Sequence, residues 1–303
     1  MGLVRALADA DIPALTRICQ LGMEYDTWYD ELLREKTVDA KDYDPELGLV
    51  YEEEGEIAGF IQGAVGKKLG KTWGWIRLLA VHPGQRCRGI GDKLLKEAEK
   101  RLIARGAGSL SIMDVPANYQ MPGVDIRYKE AFCFLPKKGY KRGIPNINLI
   151  CDVNTQMIDE QKEKKRLEKE GFVLKKASEE DWEGLEKFLK ANWECWIDEA
   201  RSSFDNTPKT IYICIHKGAV VGFCGYEGNN RGMGWFGPMG VDPITRGKGI
   251  GAAICLLCLQ EIALLGHKRA IIPWVGPVRF YDKVCNAVID RLFWTYTKKV
   301  EKE

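Results

Sequence analysis

Two glycine-rich segments contain the residue types best suited to binding chemistry. The first reads LAVHPGQRCRGIG over residues 79–91, and the second reads MGVDPITRGKGIG over residues 239–251. Each segment follows a strand-like apolar run and opens a helix-like one, so it contains the unpaired backbone N–H groups of a helix start. Because the glycines have no Cβ atoms, a ligand can approach these N–H groups closely. Arginine and lysine add positive charge beside these donors, a combination that suits phosphate groups.

The second segment repeats the first 160 residues later. Gly106 also recurs, as Gly266, after the intervening helical run. Matches at equivalent places in the same element order indicate an internal duplication. The recurring positions are Val81, Pro83, Arg86, Gly89, Ile90 and Gly91, which return as Val241, Pro243, Arg246, Gly249, Ile250 and Gly251.

Both copies show the same order of predicted elements. A short strand and a helix with acidic flanks come first, followed by a hairpin and the strand that leads into the glycine-rich segment. A helix, a strand, a short helix and closing strands complete each copy. Strands alternating with helices predict the α/β (α+β) class. We predict a first domain over residues 1–153, a charged linker or exposed helix over 154–170, and a second domain over 171–303.

Composition excludes several classes of protein. The chain has 303 residues, of which 45% are hydrophobic, so two cores are expected and general disorder is not. Its 45 basic and 43 acidic residues give a net charge of +2, which argues against a nucleic-acid-coating surface. Apolar runs are too short for a membrane span, and acids interrupt the N-terminal run, so no membrane association or export is predicted. Ten cysteines, several in apolar runs, predict reduced thiols and a cytoplasmic location.

Three phosphate-binding motifs compete for the glycine-rich segments. A P-loop fails because Gly247-Lys248 is followed by Gly249 where Ser or Thr is required. A dinucleotide fingerprint matches Gly247, Gly249 and Ala252, but it has no equivalent in the first copy and falls after a hairpin. The third is the acyl-coenzyme A loop, Gln/Arg-x-x-Gly-x-Gly/Ala after a Val-x-Pro strand end, and both copies satisfy it. No metal site is predicted, since Cys255 and Cys258 lack further ligands at suitable spacing.

These loops resemble those of the GNAT N-acetyltransferase superfamily. A second family motif, Phe-Tyr-x-Lys-x-Gly-Phe, is matched in part by residues 280–286 (FYDKVCN) and residues 134–140 (FLPKKGY). The phrases at 116–125 and 274–283 look like those of bacterial tandem-domain members, including clostridial glucosamine and glucosaminide N-acetyltransferases. The resemblance implies two tandem GNAT domains, each a mixed, mostly antiparallel sheet flanked by helices, with acetyl-CoA (acetyl-coenzyme A) as the acyl donor.

The resemblance also implies a set of coenzyme-binding residues. Backbone groups of Met239 to Val241 would face the pantetheine arm and the thioester. Tyr281 stands at the position of the family acid that protonates the leaving thiolate, whereas the first copy has Leu135 there. We therefore expect catalysis in the second copy and a non-catalytic first copy. The implied coenzyme-binding residues are Met239, Gly240, Val241, Arg246, Gly247, Lys248, Gly249, Ile250, Gly251, Ala252 and Tyr281, together with Leu79, Val81, Arg86, Arg88, Gly89 and Gly91 of the first copy.

The amine acceptor is less well defined by the sequence. The strand before the second loop has no glutamate to serve as the base, so Asp198 and Asp205 are the first candidates, with Glu199, Glu227 and Asp290 as further options. Flat aromatic faces beside carboxylates suit an amino sugar, and Trp193, Trp196 and Trp274 are the predicted substrate contacts. A peptide, protein or aminoglycoside acceptor, or a non-catalytic acyl-CoA sensor, stays open as an alternative. The expected partner is a small-molecule amine, and the sequence does not determine the oligomeric state.

Overall fold

The computed structural model describes residues 2–155 and 158–300 and divides into two compact units. Unit 1 comprises Met1–Asn146 and Leu292–Glu303, and unit 2 comprises Ile147–Arg291. The predicted division at 153 and 171 follows chain order and stays a prediction, because these units group residues by contact. Of the predicted linker and domain ends, residues 1, 156, 157 and 301–303 lie outside the described residues.

The secondary structure alternates between strands and helices along most of the chain. The strands are β1 (Leu3–Ala6), β2 (Gly48–Glu53), β3 (Glu56–Lys68), β4 (Lys71–Val81), β5 (Ser109–Ile112), β6 (Val124–Asp125), β7 (Lys141–Asp152), β8 (Phe172–Lys176), β9 (Ile211–His216), β10 (Ala219–Tyr226), β11 (Phe236–Val241), β12 (Arg269–Ile272) and β13 (Val288–Lys299). The helices are α1 (Ile12–Gly22), α2 (Asp30–Lys36), α3 (Ile90–Ala104), α4 (Lys129–Lys137), α5 (Glu160–Glu168), α6 (Trp182–Asn192), α7 (Ile197–Asp205), α8 (Ile250–Leu264) and α9 (Val278–Cys285).

The sheet of unit 1 has the strand order β1-β2-β3-β4-β5, followed by the unit 1 part of β13. Its pairs are antiparallel except for β4 and β5, which run parallel from Trp73 to Ile76. The remainder of β4, as far as Val81, continues beyond the last residue paired with β5. This strand end leads directly into the first glycine-rich loop.

The sheet of unit 2 contains an antiparallel run in the order β8-β9-β10-β11. Strand β12 instead pairs with β7, through Ile272 opposite Leu149. A single parallel bridge, Trp235 to Ile271, joins the approach to β11 with β12. Both units thus contain mixed, mostly antiparallel sheets with helices beside them, which confirms the predicted fold class.

The core of unit 2 is arranged around α8. The helix is apolar around most of its circumference and buries residues such as Ile254, Cys258 and Ile262. On β10, Gly222 faces Ile250 and Ile254 of α8, whereas the next residue, Phe223, packs against Phe188 of α6. Helices α8 and α6 therefore cover opposite faces of the same strand, since successive side chains of a strand alternate. None of the helices in the described residues is long and apolar enough to cross a membrane.

The first helix of each copy is preceded by an aspartate whose carboxylate caps the helix start in the same way. Asp11 accepts a hydrogen bond from the Ala8 N–H at 2.8 Å, and Asp181 accepts one from the Ser178 N–H at 2.7 Å. Each carboxylate also pairs with a cation from the preceding strand, Arg5 at 2.7 Å and Lys175 at 2.9 Å. The repeated geometry satisfies backbone donors at the helix start and is a structural trace of the duplication.

Candidate functional site

Strand β11 is the edge strand of the β8-β9-β10-β11 run and leads into the second glycine-rich loop. One side pairs with β10, with Val241 opposite Gly222 and Met239 opposite Cys224. On the other side, the bridge at Trp235 is the last pairing to β12 found in the described part of the chain. The backbone of Phe236–Val241 therefore offers N–H and C=O groups to an extended ligand that adds to the sheet edge.

The loop after β11 turns the chain sharply into α8. Asp242 begins the turn by accepting the Ile244 N–H at 2.9 Å. Gly247 and Gly249 have φ angles of 84° and 76°, left-handed values that glycine adopts without strain. The first intrahelical bond runs from the Ala253 N–H to the Gly249 carbonyl at 3.0 Å. The N–H groups before it, at residues 250–252, have no partner within the helix, and so this end is a ready anion site.

Charged side chains surround the exposed loop of residues 246–249. Lys248 pairs with Glu170 at 2.9 Å. From α5, Arg166 donates through Nη1 to the Lys248 carbonyl at 3.0 Å and through Nε to Glu163 at 2.8 Å. The sequence predicts a charged linker or an exposed helix here, and Arg166 lies on helix α5. No sequence signal associates Arg166 with the loop, because Arg166 and Lys248 are 82 residues apart.

Tyr281 lies on α9 and is buried, with 7% of its surface exposed. Its ring packs edge-on against Phe236 at the start of β11, with centroids 5.9 Å apart, and against Phe280 at 5.0 Å. Burial, with smaller contributions from neighbouring thiols led by Cys255, raises the pKa of the phenol well above its ordinary value. The phenol is therefore protonated at neutral pH, as a proton donor requires.

Two predicted substrate residues meet on the opposite face of β11. The rings of Trp193 and Trp196 stack with centroids 5.2 Å apart. Trp193 lies directly on Gly240, where an added Cβ would come within 2.4 Å of its Cζ3. Trp196 also contacts Phe223, which is the cross-strand partner of Gly240. The two indoles form a partly exposed aromatic wall beside the open strand, and the missing side chain of Gly240 makes room for it.

The other predicted acceptor residues lie in separate places. Asp198 and Asp205 are exposed on α7, and Asp205 pairs with Arg201 at 2.7 Å. Trp274 lies on the loop between β12 and α9 with 39% of its surface exposed, and its backbone N–H donates to Asn148 Oδ1. Glu227 is buried and accepts the N–H groups of Gly232 and Trp235, so its carboxylate holds the loop before β11. The role of each in the reaction stays a prediction.

The equivalent loop of unit 1 has nearly the same backbone with different chemistry around it. Gly89 is left-handed at 81°, and Cys87 adopts 62° where the second copy has Gly247. Arg86 donates to the Gly22 carbonyl at 2.8 Å, and Arg88 pairs with Glu53 at 2.8 Å. Leu135 is a buried residue of α4 at the position that corresponds to Tyr281. This copy keeps the turn but has no phenol at that position.

Curated relatives resemble part of the chain. An acetyltransferase from Sodalis glossinidius is 41% identical over 71 residues, which are 23% of this chain and 47% of that protein. An uncharacterized N-acetyltransferase from Yersinia pestis is 42% identical over 71 residues, covering 23% of this chain and 48% of the relative. The aligned part of the chain thus spans about half the length of these relatives.

Solved structures resemble the whole chain in fold. A GCN5-related glucosamine N-acetyltransferase region in a fungal multi-domain GH3 beta-N-acetylglucosaminidase has a TM-score of 0.82 at 18% identity, covering 98% of this chain and 38% of that one. A tandem GNAT protein from the clavulanic acid biosynthesis pathway has a TM-score of 0.69 at 15% identity and covers 100% of both chains. At these identities the likeness concerns the fold.

The family assignment rests on both copies. The model of the acetyltransferase (GNAT) family matches residues 15–122 and again residues 173–286, and each match includes one glycine-rich loop and the strand that leads into it. The two matches together cover most of the chain. The chain is therefore a tandem-domain member of the acetyltransferase (GNAT) family, a family of acyltransferase enzymes.

Proposed function

We propose that this protein transfers the acetyl group of acetyl-CoA to a primary amine, and that the second copy performs the reaction. The observation that carries the proposal is the meeting, in unit 2, of an open strand edge, a glycine-rich helix start and a buried phenol. The loop at 246–251 would bind the phosphates, and the edge of β11 would pair with the pantetheine arm. No equivalent of the phenol is present at Leu135 in the first copy.

The chemistry follows from the positions of these groups. The amine nitrogen attacks the thioester carbonyl carbon, and backbone N–H groups of Met239–Val241 would stabilise the resulting oxyanion. The carbon–sulfur bond then breaks, and the sulfur takes the proton of the Tyr281 hydroxyl. The amine loses a proton to a base or to a chain of water molecules, and Asp198 and Asp205 stay the candidates for that base. Tyr281 supports this role because its raised pKa keeps the phenol protonated.

We further propose an amino sugar, such as glucosamine or a glucosaminide, as the acceptor. The stacked indoles of Trp193 and Trp196 offer a flat apolar face of the kind that sugar rings pack against. They lie over Gly240, next to the strand positions proposed to hold the thioester. The similar fungal structure, which is described as a glucosamine N-acetyltransferase region, points to the same class of acceptor.

A screen of acceptors tests this function directly. Release of the coenzyme thiol from acetyl-CoA would be measured with glucosamine, a glucosaminide, a polyamine, an aminoglycoside and a lysine peptide. We expect turnover above the background hydrolysis with an amino sugar. Turnover with only the peptide or the aminoglycoside would overturn the acceptor assignment. Coenzyme binding without turnover on any of these amines would instead support an acyl-CoA sensor and contradict the proposed function.

A further inference from the structure

One arginine of the segment between the two copies lies directly over the second glycine-rich loop. A Cβ built on Gly249 would come within 2.9 Å of Arg166 Nη2 and 3.5 Å of its Cζ. The guanidinium therefore occupies the space next to the Cα of Gly249, at the first turn of α8. On the matching Gly89 of the first copy, a Cβ would meet nothing within 4 Å. Only the second loop, in the part of the chain that the structure describes, has such a cover.

The position is electrostatically unusual for a cation. The N-terminus of a helix carries a partial positive charge, so a guanidinium placed over it is unfavourable unless an anion lies between them. Arg246 and Lys248 add two further positive charges to the same loop. Two carboxylates compensate in part: Glu163 accepts from Arg166 at 2.8 Å, and Glu170 pairs with Lys248 at 2.9 Å. These pairs are at the surface, where each is worth little, so an incoming phosphate can replace them.

The hydrogen bonds of Arg166 leave part of its guanidinium available. Nε donates to Glu163 and Nη1 to the Lys248 carbonyl at 3.0 Å. Nη2 points at Gly249 and makes no hydrogen bond within residues 2–155 and 158–300. The bond to the Lys248 carbonyl holds the planar group next to the loop, and Nη2 beside Gly249 keeps its N–H groups for a ligand. Such a fork is suited to phosphate oxygens.

We infer that Arg166 is a coenzyme-binding residue that closes over the diphosphate of acetyl-CoA, opposite the backbone N–H groups of the 246–251 loop. The inference rests on the proposed function, because it takes this loop to be the phosphate site. It assigns α5 a task in binding rather than only in linking the copies. Within the described residues, no side chain takes this position in the first copy, because a Cβ on Gly89 would meet nothing within 4 Å.

The test compares ligands that share the pantetheine arm but differ in their phosphates. Binding of coenzyme A by calorimetry and KM for acetyl-CoA would be measured for the wild type and Arg166→Ala. We expect the Kd for coenzyme A and the KM for acetyl-CoA to rise about 10- to 100-fold in Arg166→Ala, because a charge-assisted phosphate contact is lost. S-acetyl-pantetheine, which has no phosphates, should show the same KM with both proteins. The effect should persist with 3′-dephospho-coenzyme A, which keeps the diphosphate.

Matched variants separate binding from folding. Lys164→Ala removes a positive charge from the same helix, at a side chain paired with Glu160, and should leave the binding constant unchanged. Arg166→Lys should recover only part of the affinity, since lysine lacks the fork. Glu163→Gln releases the guanidinium from its carboxylate and should tighten binding by about twofold. A purely structural role for Arg166 predicts no tightening in that variant.

Three results would overturn the inference. They are an unchanged affinity of Arg166→Ala for coenzyme A, an equal loss with S-acetyl-pantetheine, and a loss that disappears with 3′-dephospho-coenzyme A, which would assign Arg166 to the 3′-phosphate. Failure of the proposed function looks different, because the wild-type protein itself would then either not bind coenzyme A or bind it without turnover on any amine. The wild-type titration and the acceptor screen together therefore distinguish the two failures.

Discussion

Burial determines the form in which the Tyr281 phenol can act. The ring lies among Phe236, Phe280 and the apolar thiols of the unit 2 core. Because a phenolate would lose its hydration there, the pKa of the phenol is raised and the neutral form persists. The same burial places the hydroxyl in a low-dielectric environment, in which donation to a developing thiolate is most favourable. Tyr281 is thus suited to protonate a leaving group and unsuited to accept a proton from the amine.

Replacing this phenol tests its role at the scale of one atom. Tyr281→Phe removes only the hydroxyl, and we expect kcat to fall by about 100-fold or more, with KM for acetyl-CoA nearly unchanged. Tyr212→Phe is the control. Tyr212 lies on β9, away from the open strand, and its hydroxyl donates to Glu261 of α8 at 3.0 Å. Steady-state kinetics of the two variants would check this. Full turnover in Tyr281→Phe would remove the assigned acid.

The pH dependence follows from the sign of the same shift. An acid with a raised pKa stays protonated to higher pH, so loss of the Tyr281 proton should not produce a decline of kcat between pH 7 and about 10. The profile of kcat against pH for the wild type, compared with Tyr281→Phe, would measure this. An alkaline decline centred near pH 8 that disappears in Tyr281→Phe would contradict the protonation state assigned to the phenol.

At the scale of elements, the two copies share a loop backbone but differ in what surrounds it. Gly89 and Gly249 have left-handed φ angles of 81° and 76°, so alanine at either one costs about 1 kcal/mol of strain. Beyond this shared strain, only the second loop has Arg166 beside it. The pair of glycines therefore separates the effect of loop geometry from the effect of coenzyme binding.

Alanine substitutions in the two loops should have unequal consequences. We expect Gly249→Ala to raise KM for acetyl-CoA by about tenfold or more, because the added methyl group displaces the guanidinium and narrows the phosphate site. Both alanine variants should lower the free energy of unfolding by about 1 kcal/mol. Gly89→Ala should nevertheless leave the kinetic constants near those of the wild type. Kinetics and thermal unfolding of both variants would be compared. An equal kinetic loss in Gly89→Ala would place coenzyme binding in the first copy as well.

The carboxylate at the start of α6 contributes to stability in a pH-dependent way. Burial acts to raise the pKa of Asp181, but hydrogen bonds from the Ser178 N–H and hydroxyl and from Lys175 outweigh it and leave the pKa lowered. A lowered pKa stabilises the folded state above the unfolded value of about 3.9, and this stabilisation is lost as the pH falls through the folded value.

Removing this carboxylate should expose that dependence. We expect Asp181→Ala to reduce the free energy of unfolding by about 1 kcal/mol at pH 7, with the difference from wild type shrinking as the pH falls below 4. Urea unfolding at several pH values would measure the effect. Glu180→Ala, whose side chain is 81% exposed, is the control and should change stability little. A difference that grows toward low pH would contradict the assigned sign.

Local sequence could predict the loops, their element order and the duplication, because glycine spacing and hydrophobic alternation report on neighbouring residues. The predicted role of Tyr281 likewise came from a short stretch of sequence, residues 280–286, which resembles the second family motif. Arg166 could not be found this way, since its contact with the loop depends on how α5 packs against α8. The stacking of Trp193 on Gly240 likewise joins two distant elements. The pairing of residues 297–299 in β13 with β5 is a long-range contact that the repeat pattern does not encode.

At the scale of the molecule, the duplication has produced two units of similar fold and different chemistry. Unit 2 combines the open strand β11, the covered glycine-rich loop and the phenol. Unit 1 retains the loop and replaces the phenol with Leu135, which cannot donate a proton. We propose that the first unit has kept this loop backbone without using it for turnover. On this account, one unit performs the reaction and the other has been retained for its fold.

A crystal structure with coenzyme A bound tests this division of labour most directly. The account predicts density for the diphosphate against the backbone N–H groups of residues 246–251, with the sulfur near β11 and within hydrogen-bonding distance of the Tyr281 hydroxyl. Coenzyme found only at residues 86–91, or a sulfur remote from Tyr281 in unit 2, would contradict the central claim.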